Sequence, residues 1–211
     1  MQEYLQPTFY FDYESPEIQQ LISNFQHLSE LERITQLYIH VRDHWRYNPY
    51  TIGLTENHFK ASTIYNKKQA HCIDKSILYI AGLRALGIPA RLRLAKVSNH
   101  IAVERLEQKL GSNELAPHGL VDVYSDGNWV KCSPVFNKEL CDMYNVATLD
   151  FDGKTNAVLQ EYNRDQVKFM EYLEDYGNFA DVPLDFIKET FKNHYPALYQ
   201  QFKDSEEANI F

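Results

Sequence analysis

Apolar residues repeat with a helical period in the first third of the chain. They recur at intervals of three or four at Leu31, Ile34, Tyr38, Val41 and Trp45. This spacing predicts an amphipathic helix that ends before the Asn-Pro step at 48–49. Ser29 and Glu32 stand three apart at its start, where each can satisfy the other's free backbone N–H in a capping box.

A second helix is predicted from about Cys72 to Leu86, and it is apolar around almost its whole circumference. Gly87 and Pro89 follow it and stop it. A helix without a polar face is buried on most sides. We therefore predict that this helix runs through the core.

The middle of the chain is typical of strands, with a tight turn at Asp126-Gly127. Strands are predicted at residues 90–97, 119–124 and 128–133, and further helices at 102–110, 163–175 and 183–203, the last broken at Pro196. Helices, then a strand meander, then helices define an α+β domain. We predict one domain over 1–211, with a core at about 31–137 and a C-terminal helical extension at about 138–211.

The composition is that of an ordinary globular protein. The 211 residues are 44% hydrophobic and 24% charged, and 21 basic against 29 acidic residues give a net charge of −8. A negative surface repels phosphate backbones, which argues against nucleic-acid binding. We expect a cytoplasmic protein, because no apolar run is long enough for a membrane span, no signal peptide is evident and three cysteines are too few for a disulfide scaffold.

Cys72 lies in the first turn of the predicted buried helix. Unpaired backbone N–H groups and the helix dipole favour an anion there. They lower the pKa of a thiol and supply donors beside the sulfur, as a cysteine nucleophile requires. Lys75, one turn further on, would add positive potential. Free cysteines are also common in protein cores, so the position alone does not decide the role.

His118 opens the second predicted strand and is the candidate base. A two-residue turn at 126–127 sets the register of the whole hairpin. In that register His118 shares a face with Ser133 and lies diagonal to it. Asp122 faces Lys131, which predicts a cross-strand ion pair.

Two segments resemble the transglutaminase-like superfamily: HCIDKSILYIAGLRALGIPARLRLAKV and HGLVDVYSDGNWVKCSP. Members carry a Gly-x-Cys that opens a helix, a Leu-Gly-Ile-Pro-Ala-Arg exit into a strand, and then His-Ala-Trp-Val-Glu-Val and Trp-x-x-x-Asp-Pro. The resemblance covers roughly residues 31–137. It implies a cysteine-proteinase-like α+β core, with the nucleophile helix packed on an antiparallel sheet.

By position, the resemblance implies that Cys72 is the nucleophile and His118 the general base. The third catalytic position, usually Asp, holds Ser133. A serine hydroxyl can accept a hydrogen bond from the imidazole but contributes no negative charge. Asn137, which would imitate a Cys-His-Asn arrangement, is an alternative, and so is a loop carboxylate at Asp150 or at position 152.

A second departure from the family pattern is Ala70 in place of glycine. The backbone N–H of Cys72 would bind the oxyanion, together with an upstream side chain such as Gln69. For Gln69 itself, the preferred interpretation is a solvated loop residue without a catalytic role. His71 precedes the nucleophile directly. Since adjacent helix residues do not face each other, we predict that it caps the helix or lies in a loop.

These residues predict a thiol-dependent hydrolase or acyltransferase that acts on peptide-type amide bonds of a peptide or protein substrate. The alternative is a catalytically weak or inactive relative that binds peptides or partner proteins in the same cleft. No cofactor or metal is expected. His40 and His44 have a spacing that can grip zinc, but a solvated helix flank explains them better.

Overall fold

The structure is a computed structural model that describes residues 1–101 and 103–204. Its helices are α1 (Pro16–Ile22), α2 (Glu30–His44), α3 (Ala61–Tyr65), α4 (Cys72–Ala85), α5 (Val103–Leu110), α6 (Lys138–Met143), α7 (Leu184–His194) and α8 (Pro196–Asp204). Its strands are β1 (Arg46–Tyr47), β2 (Gln69–Ala70), β3 (Ala90–Asn99), β4 (Glu114–Ser125), β5 (Asn128–Cys132) and β6 (Met170–Phe179). No helix in these described ranges is long and apolar enough to cross a membrane.

Four strands form an antiparallel sheet in the order β5-β4-β3-β6, and β1 and β2 make a separate short parallel pair. Helix α4 packs on β3 and β4 and is covered on its other sides by α1, α2 and α3. This arrangement confirms the predicted α+β class with a nucleophile helix against an antiparallel sheet. The sheet and the helix layer share one hydrophobic core.

Helix α4 is the centre of that core, as its all-round apolar pattern predicts. Every residue from position 72 to position 84 is buried. Gly82 lets α2 come close, because a Cβ on it would lie 2.8 Å from Cδ2 of Leu37. Gly87 adopts a φ of +79° directly after the helix, which is the left-handed conformation that ends helices.

The hairpin register is confirmed, but the predicted ion pair is wrong. Asp126 and Gly127 both have positive φ, at 48° and 81°, and the strands pair Ser125 with Asn128 as far as Val121 with Cys132. The Asp122 carboxylate accepts hydrogen bonds from Arg91 (3.0 Å) and Arg93 (2.8 Å). Both arginines lie on β3, directly beside β4, whereas Lys131 reaches toward Asp175 at 4.0 Å.

The region after residue 138 is not only helical. Residues 163–175 were expected to form a helix, yet most of that stretch leads into or belongs to β6, which pairs along β3 and completes the sheet. Pairing with β3 supplies the backbone hydrogen bonds, and such tertiary context overrides a local helical pattern. The predicted helices at 102–110 and 183–203, with the break before Pro196, correspond to α5, α7 and α8, with residue 102 outside the described ranges.

The capping box of α2 is present. The backbone N–H of Ser29 donates to Glu32 (2.9 Å), and the backbone N–H of Glu32 donates to the Ser29 hydroxyl (3.4 Å). We expect Ser29→Ala to lower the free energy of unfolding by about 1 kcal/mol in urea denaturation. Ser15 is the matched control, because it is the N-cap of α1 but makes no capping hydrogen bond. An equal loss in Ser15→Ala would contradict the capping explanation.

Candidate active site

Cys72 occupies the first position of α4 and is 4% exposed. Its thiol borders a narrow chamber of about 30 Å³, whose walls include Tyr47, Phe191 and Tyr195. Tyr195 is held in place because its hydroxyl donates to the carbonyl of Glu114 (2.7 Å) and accepts from a backbone N–H on the same strand. Helix α7 and the tyrosine that follows it therefore form one wall beside the candidate nucleophile.

His118 lies on β4 and is 3% exposed. Its neighbour Gly119 brings the strand against the first turn of α4, since a Cβ there would lie 2.7 Å from Cα of Ile73. A larger residue at 119 would push the strand away from the helix. This close approach sets the imidazole of His118 beside the thiol of Cys72, where the two side chains interact.

His71 also interacts with the thiol, which the sequence argument did not anticipate. Its predicted capping role is confirmed: it is the N-cap of α4, and the backbone N–H of Asp74 donates to its Nδ1 (3.5 Å). The argument that adjacent residues cannot face each other fails here, because His71 has extended backbone (φ −94°, ψ −179°) outside the helix. Its ring is free to turn back toward Cys72.

The two histidines make the site electrostatically favourable for a thiolate. Burial raises the pKa of the Cys72 thiol, but the positive charges of His71 and His118 and their hydrogen-bonding contacts outweigh it and hold this pKa well below the ordinary value. Burial lowers the pKa of His71, yet the Cys72 thiolate and the Asp74 carboxylate raise it to about 10. The arrangement thus favours a thiolate beside an imidazolium.

A further polar cluster lies behind His71. Oδ1 of Asp74 is 3.5 Å from Nδ1 of His71 and 3.2 Å from Nε2 of His58, and Lys67 Nζ is 3.4 Å from Oδ2. Asp74 is fully buried. Sequence reasoning missed this cluster; the signal for it is the His-x-x-Asp spacing at 71–74, which is a capping box with histidine in place of the usual serine or threonine.

Comparison with known proteins identifies the family of this chain. The family model of the transglutaminase-like superfamily matches residues 19–134. The chain belongs to the transglutaminase-like superfamily. Among solved structures, a proposed cysteine protease from Cytophaga hutchinsonii is similar at 17% sequence identity and a TM-score of 0.46; the match covers 62% of this chain but only 40% of that one. No curated protein matches the sequence significantly.

The third catalytic position of the superfamily has no equivalent contact here. Nδ1 of His118 is buried and has no hydrogen-bond partner within the described ranges. Ser133, directly after β5, accepts a hydrogen bond from Tyr38 through its backbone carbonyl (2.8 Å). Its hydroxyl does not engage Nδ1 of His118, so its catalytic role stays a prediction.

The alternative third residues have other partners. The Asn137 side chain accepts from the backbone N–H of Tyr47 (3.0 Å) and donates to Glu139 (3.2 Å). Asp150 accepts from Arg42 (2.7 Å). The carboxylate at position 152 accepts from two backbone N–H groups of its own turn, at 2.7 and 2.8 Å. None of these contacts is with His118.

The structure revises the expectation for Lys75 and explains the departure from the family pattern at Ala70. Lys75 does not add potential to the cleft, since its fully buried ammonium donates to the carbonyls of Arg42 (2.6 Å), Trp45 (2.8 Å) and Val135 (2.7 Å). Burial lowers its pKa to about 7. Ala70 lies in the extended strand β2 without positive φ, so the superfamily's glycine is not required there.

A larger cavity adjoins the thiol chamber. It holds about 300 Å³ and shares Tyr47, Pro49 and Leu115 with the chamber. Its other walls include the aromatic rings of Tyr50, Phe136, Tyr144 and Phe169, together with Arg46, Arg105 and Gln69. Gln69 is exposed, and its Oε1 accepts a hydrogen bond from Asn48 (2.7 Å). A mainly apolar cavity with a few polar groups is the common form of a ligand site.

Proposed function

We propose that this chain is a thiol-dependent hydrolase or acyltransferase that acts on peptide-type amide bonds, with Cys72 as nucleophile and His118 as the proton-transferring base. The observation that carries the proposal is the buried thiol at a helix N-terminus with two imidazoles beside it. Membership in the transglutaminase-like superfamily supports a thiol-dependent type of enzyme. Helix-terminal N–H groups and adjacent cations are what activate a cysteine.

In the proposed reaction the Cys72 sulfur attacks the amide carbonyl carbon, and the carbonyl electrons move onto oxygen. The backbone N–H of Cys72 at the start of α4 would stabilise that oxyanion. His118 gives a proton to the leaving amine as the C–N bond breaks, which leaves a thioester on Cys72. His118 then takes a proton from water, or from an acceptor amine, whose attack releases the acyl group and the sulfur.

The cavity of about 300 Å³ is the proposed place for the part of the substrate next to the reacting carbonyl. Its aromatic walls suit an apolar side chain. Arg105 stacks over the Tyr50 ring at 5.3 Å, and Arg46 is 3.9 Å from Glu139 in a largely exposed pair. The two guanidinium groups can donate to backbone carbonyls or to a carboxylate of a peptide. These features support a peptide-type substrate.

The test is the pH dependence of iodoacetamide labelling at each cysteine, read by peptide mass spectrometry. We expect Cys72 to label with an apparent pKa well below the ordinary thiol value of about 8.5. Cys132 and Cys141 are internal controls, because burial raises the pKa of both thiols. The thiolate is present above the lowered pKa, so labelling falls only when the pH drops through it.

A second candidate function is peptide binding by an inactive relative that uses the same cleft. It is favoured by the absence, within the described ranges, of a hydrogen-bond partner at Nδ1 of His118. Labelling of Cys72 with an ordinary thiol pKa would overturn the enzyme proposal and favour that binding function. Isothermal titration with a library of short peptides would then measure it directly.

A further inference from the structure

Two imidazoles interact with Cys72, and in the part of the chain that the structure describes it is His71 that lies against a carboxylate. His118 has no hydrogen-bond partner at its buried Nδ1 within residues 1–101 and 103–204. His71 has Asp74 Oδ1 at 3.5 Å from its Nδ1. In a catalytic triad, a carboxylate lies beside the histidine that acts as the base. In this chain the carboxylate lies instead beside His71, the residue directly before the nucleophile.

We propose that His71, supported by Asp74 and His58, holds the positive charge that stabilises the Cys72 thiolate, while His118 is left to move protons to and from the substrate. This proposal rests on the proposed thiol chemistry and assigns roles within it. His71 interacts with the Cys72 thiol, whereas Asp74 and His58 act through it as positioning residues.

The geometry around His71 accommodates both of its protonation states. A neutral ring accepts the backbone N–H of Asp74 at Nδ1 (3.5 Å), and a protonated ring forms an ion pair with Asp74, whose Oδ1 lies 3.5 Å from the same nitrogen and has no hydrogen bond within the described ranges. In return, the backbone N–H of His71 donates to Oδ2 of Asp74 (3.4 Å). A carboxylate that orients an imidazole and stabilises its charged form does the work of a triad acid.

The carboxylate itself is built into the core. Burial raises the pKa of Asp74, but His58 and His71 outweigh this and hold it well below its ordinary value, which favours the carboxylate. His58 is seated tightly against Gly53, where a Cβ would lie 2.2 Å from the ring. Lys67 closes the cluster, with Nζ 3.3 Å from the His58 carbonyl and 3.4 Å from Asp74.

Charges of both signs lie around the sulfur. The anions are the Cys72 thiolate and the Asp74 carboxylate, and the His71 imidazolium and the Lys67 ammonium are cations beside them, which limits the cost of burying the two anions. The other titratable groups that interact with the thiol are His118 on β4, Tyr47 after α2 and Tyr195 after α7. Burial and the nearby Cys72 raise the pKa of both tyrosines, so they stay neutral.

In the reaction the thiol proton rests on His71 throughout. The thiolate forms its bond to the carbonyl carbon, and protonated His118 supplies the proton to the departing amine. Deacylation returns a proton from water to His118 as the C–S bond breaks and the thiolate is restored beside His71. One amide and one water are consumed, and one acid and one amine are formed.

Cysteine labelling in His71→Asn, Asp74→Asn and His118→Ala tests the assignment. Asparagine at 71 keeps a good helix N-cap, and asparagine at 74 keeps the acceptor while removing the charge. We expect His71→Asn to lower the Cys72 labelling rate near pH 6 by at least about tenfold, more than His118→Ala does, as the thiol pKa moves toward its ordinary value. Asp74→Asn should shift the profile in the same direction by less.

Glu32→Gln is the matched control, because Glu32 is the corresponding capping-box carboxylate of α2 and lies in another helix. It should leave the Cys72 profile unchanged, and circular dichroism checks that each variant is folded. An unchanged profile in both His71→Asn and Asp74→Asn, or a larger shift in His118→Ala than in His71→Asn, would overturn the inference. An ordinary thiol pKa in the unmodified protein would instead overturn the proposed function itself.

Discussion

Cys72→Ser is expected to abolish the release of one p-nitrophenolate per chain that the unmodified protein should show with p-nitrophenyl acetate. The activated ester reports acylation of a nucleophile without depending on the natural substrate. A serine hydroxyl has no comparable pKa at this site and is not ionised by His71 and His118. We expect acylation to slow by at least about a thousandfold, as when a catalytic nucleophile is removed.

The same assay separates the roles of the two chemical steps. His118→Ala should still acylate with the activated ester, whose leaving group needs no proton, but deacylation should slow by a factor of about 10² to 10⁴. Cys132→Ser is the matched control, since that thiol is fully buried in the core and burial raises its pKa. A burst that survives Cys72→Ser would show that Cys72 is not the nucleophile.

The second large effect concerns stability. Lys75→Met is expected to lower the free energy of unfolding by at least about 3 kcal/mol, because three buried carbonyls lose their donor and each unsatisfied acceptor costs about 1–3 kcal/mol. Two of these carbonyls, those of Arg42 and Trp45, lie at the end of α2, and the third belongs to Val135 beyond β5. The Lys75 ammonium, which belongs to α4, therefore caps the C-terminal end of α2 and links α2 to the segment that follows β5.

Urea denaturation followed by fluorescence and circular dichroism measures this difference. Lys138→Met is the control, since Lys138 is largely exposed and its ammonium pairs with Asp142 on the surface. Its loss should stay below about 0.5 kcal/mol. A loss of less than about 1 kcal/mol in Lys75→Met would mean that water or relaxation satisfies the three carbonyls.

Much of the fold could be predicted because the local sequence patterns match the places that these segments take in the tertiary structure. The all-round apolar pattern of α4 can be satisfied only by burial, and the positive-φ turn at Asp126 and Gly127 sets the hairpin register. Strand β6 could not be predicted in the same way. Its backbone hydrogen bonds depend on β3, which lies far away in the sequence.

The candidate site shows the same division. Cys72 and His118 were predicted from a helix start and a strand start, and the structure brings both side chains together. The partners of long charged side chains were harder to predict. Lys75 and Asp122 were each assigned to the nearest plausible neighbour, but each is bound by groups from an element whose packing the sequence does not reveal.

By itself, the sequence determined the helix that carries Cys72, the strand that carries His118 and the family to which both motifs belong. Only the tertiary structure decided which charges surround the sulfur. The extended backbone of His71 turns its ring back to the thiol, and the fold brings His58 and Lys67 onto Asp74. Electrostatic energy depends on distances of a few ångström between groups, and separation along the chain does not fix those distances.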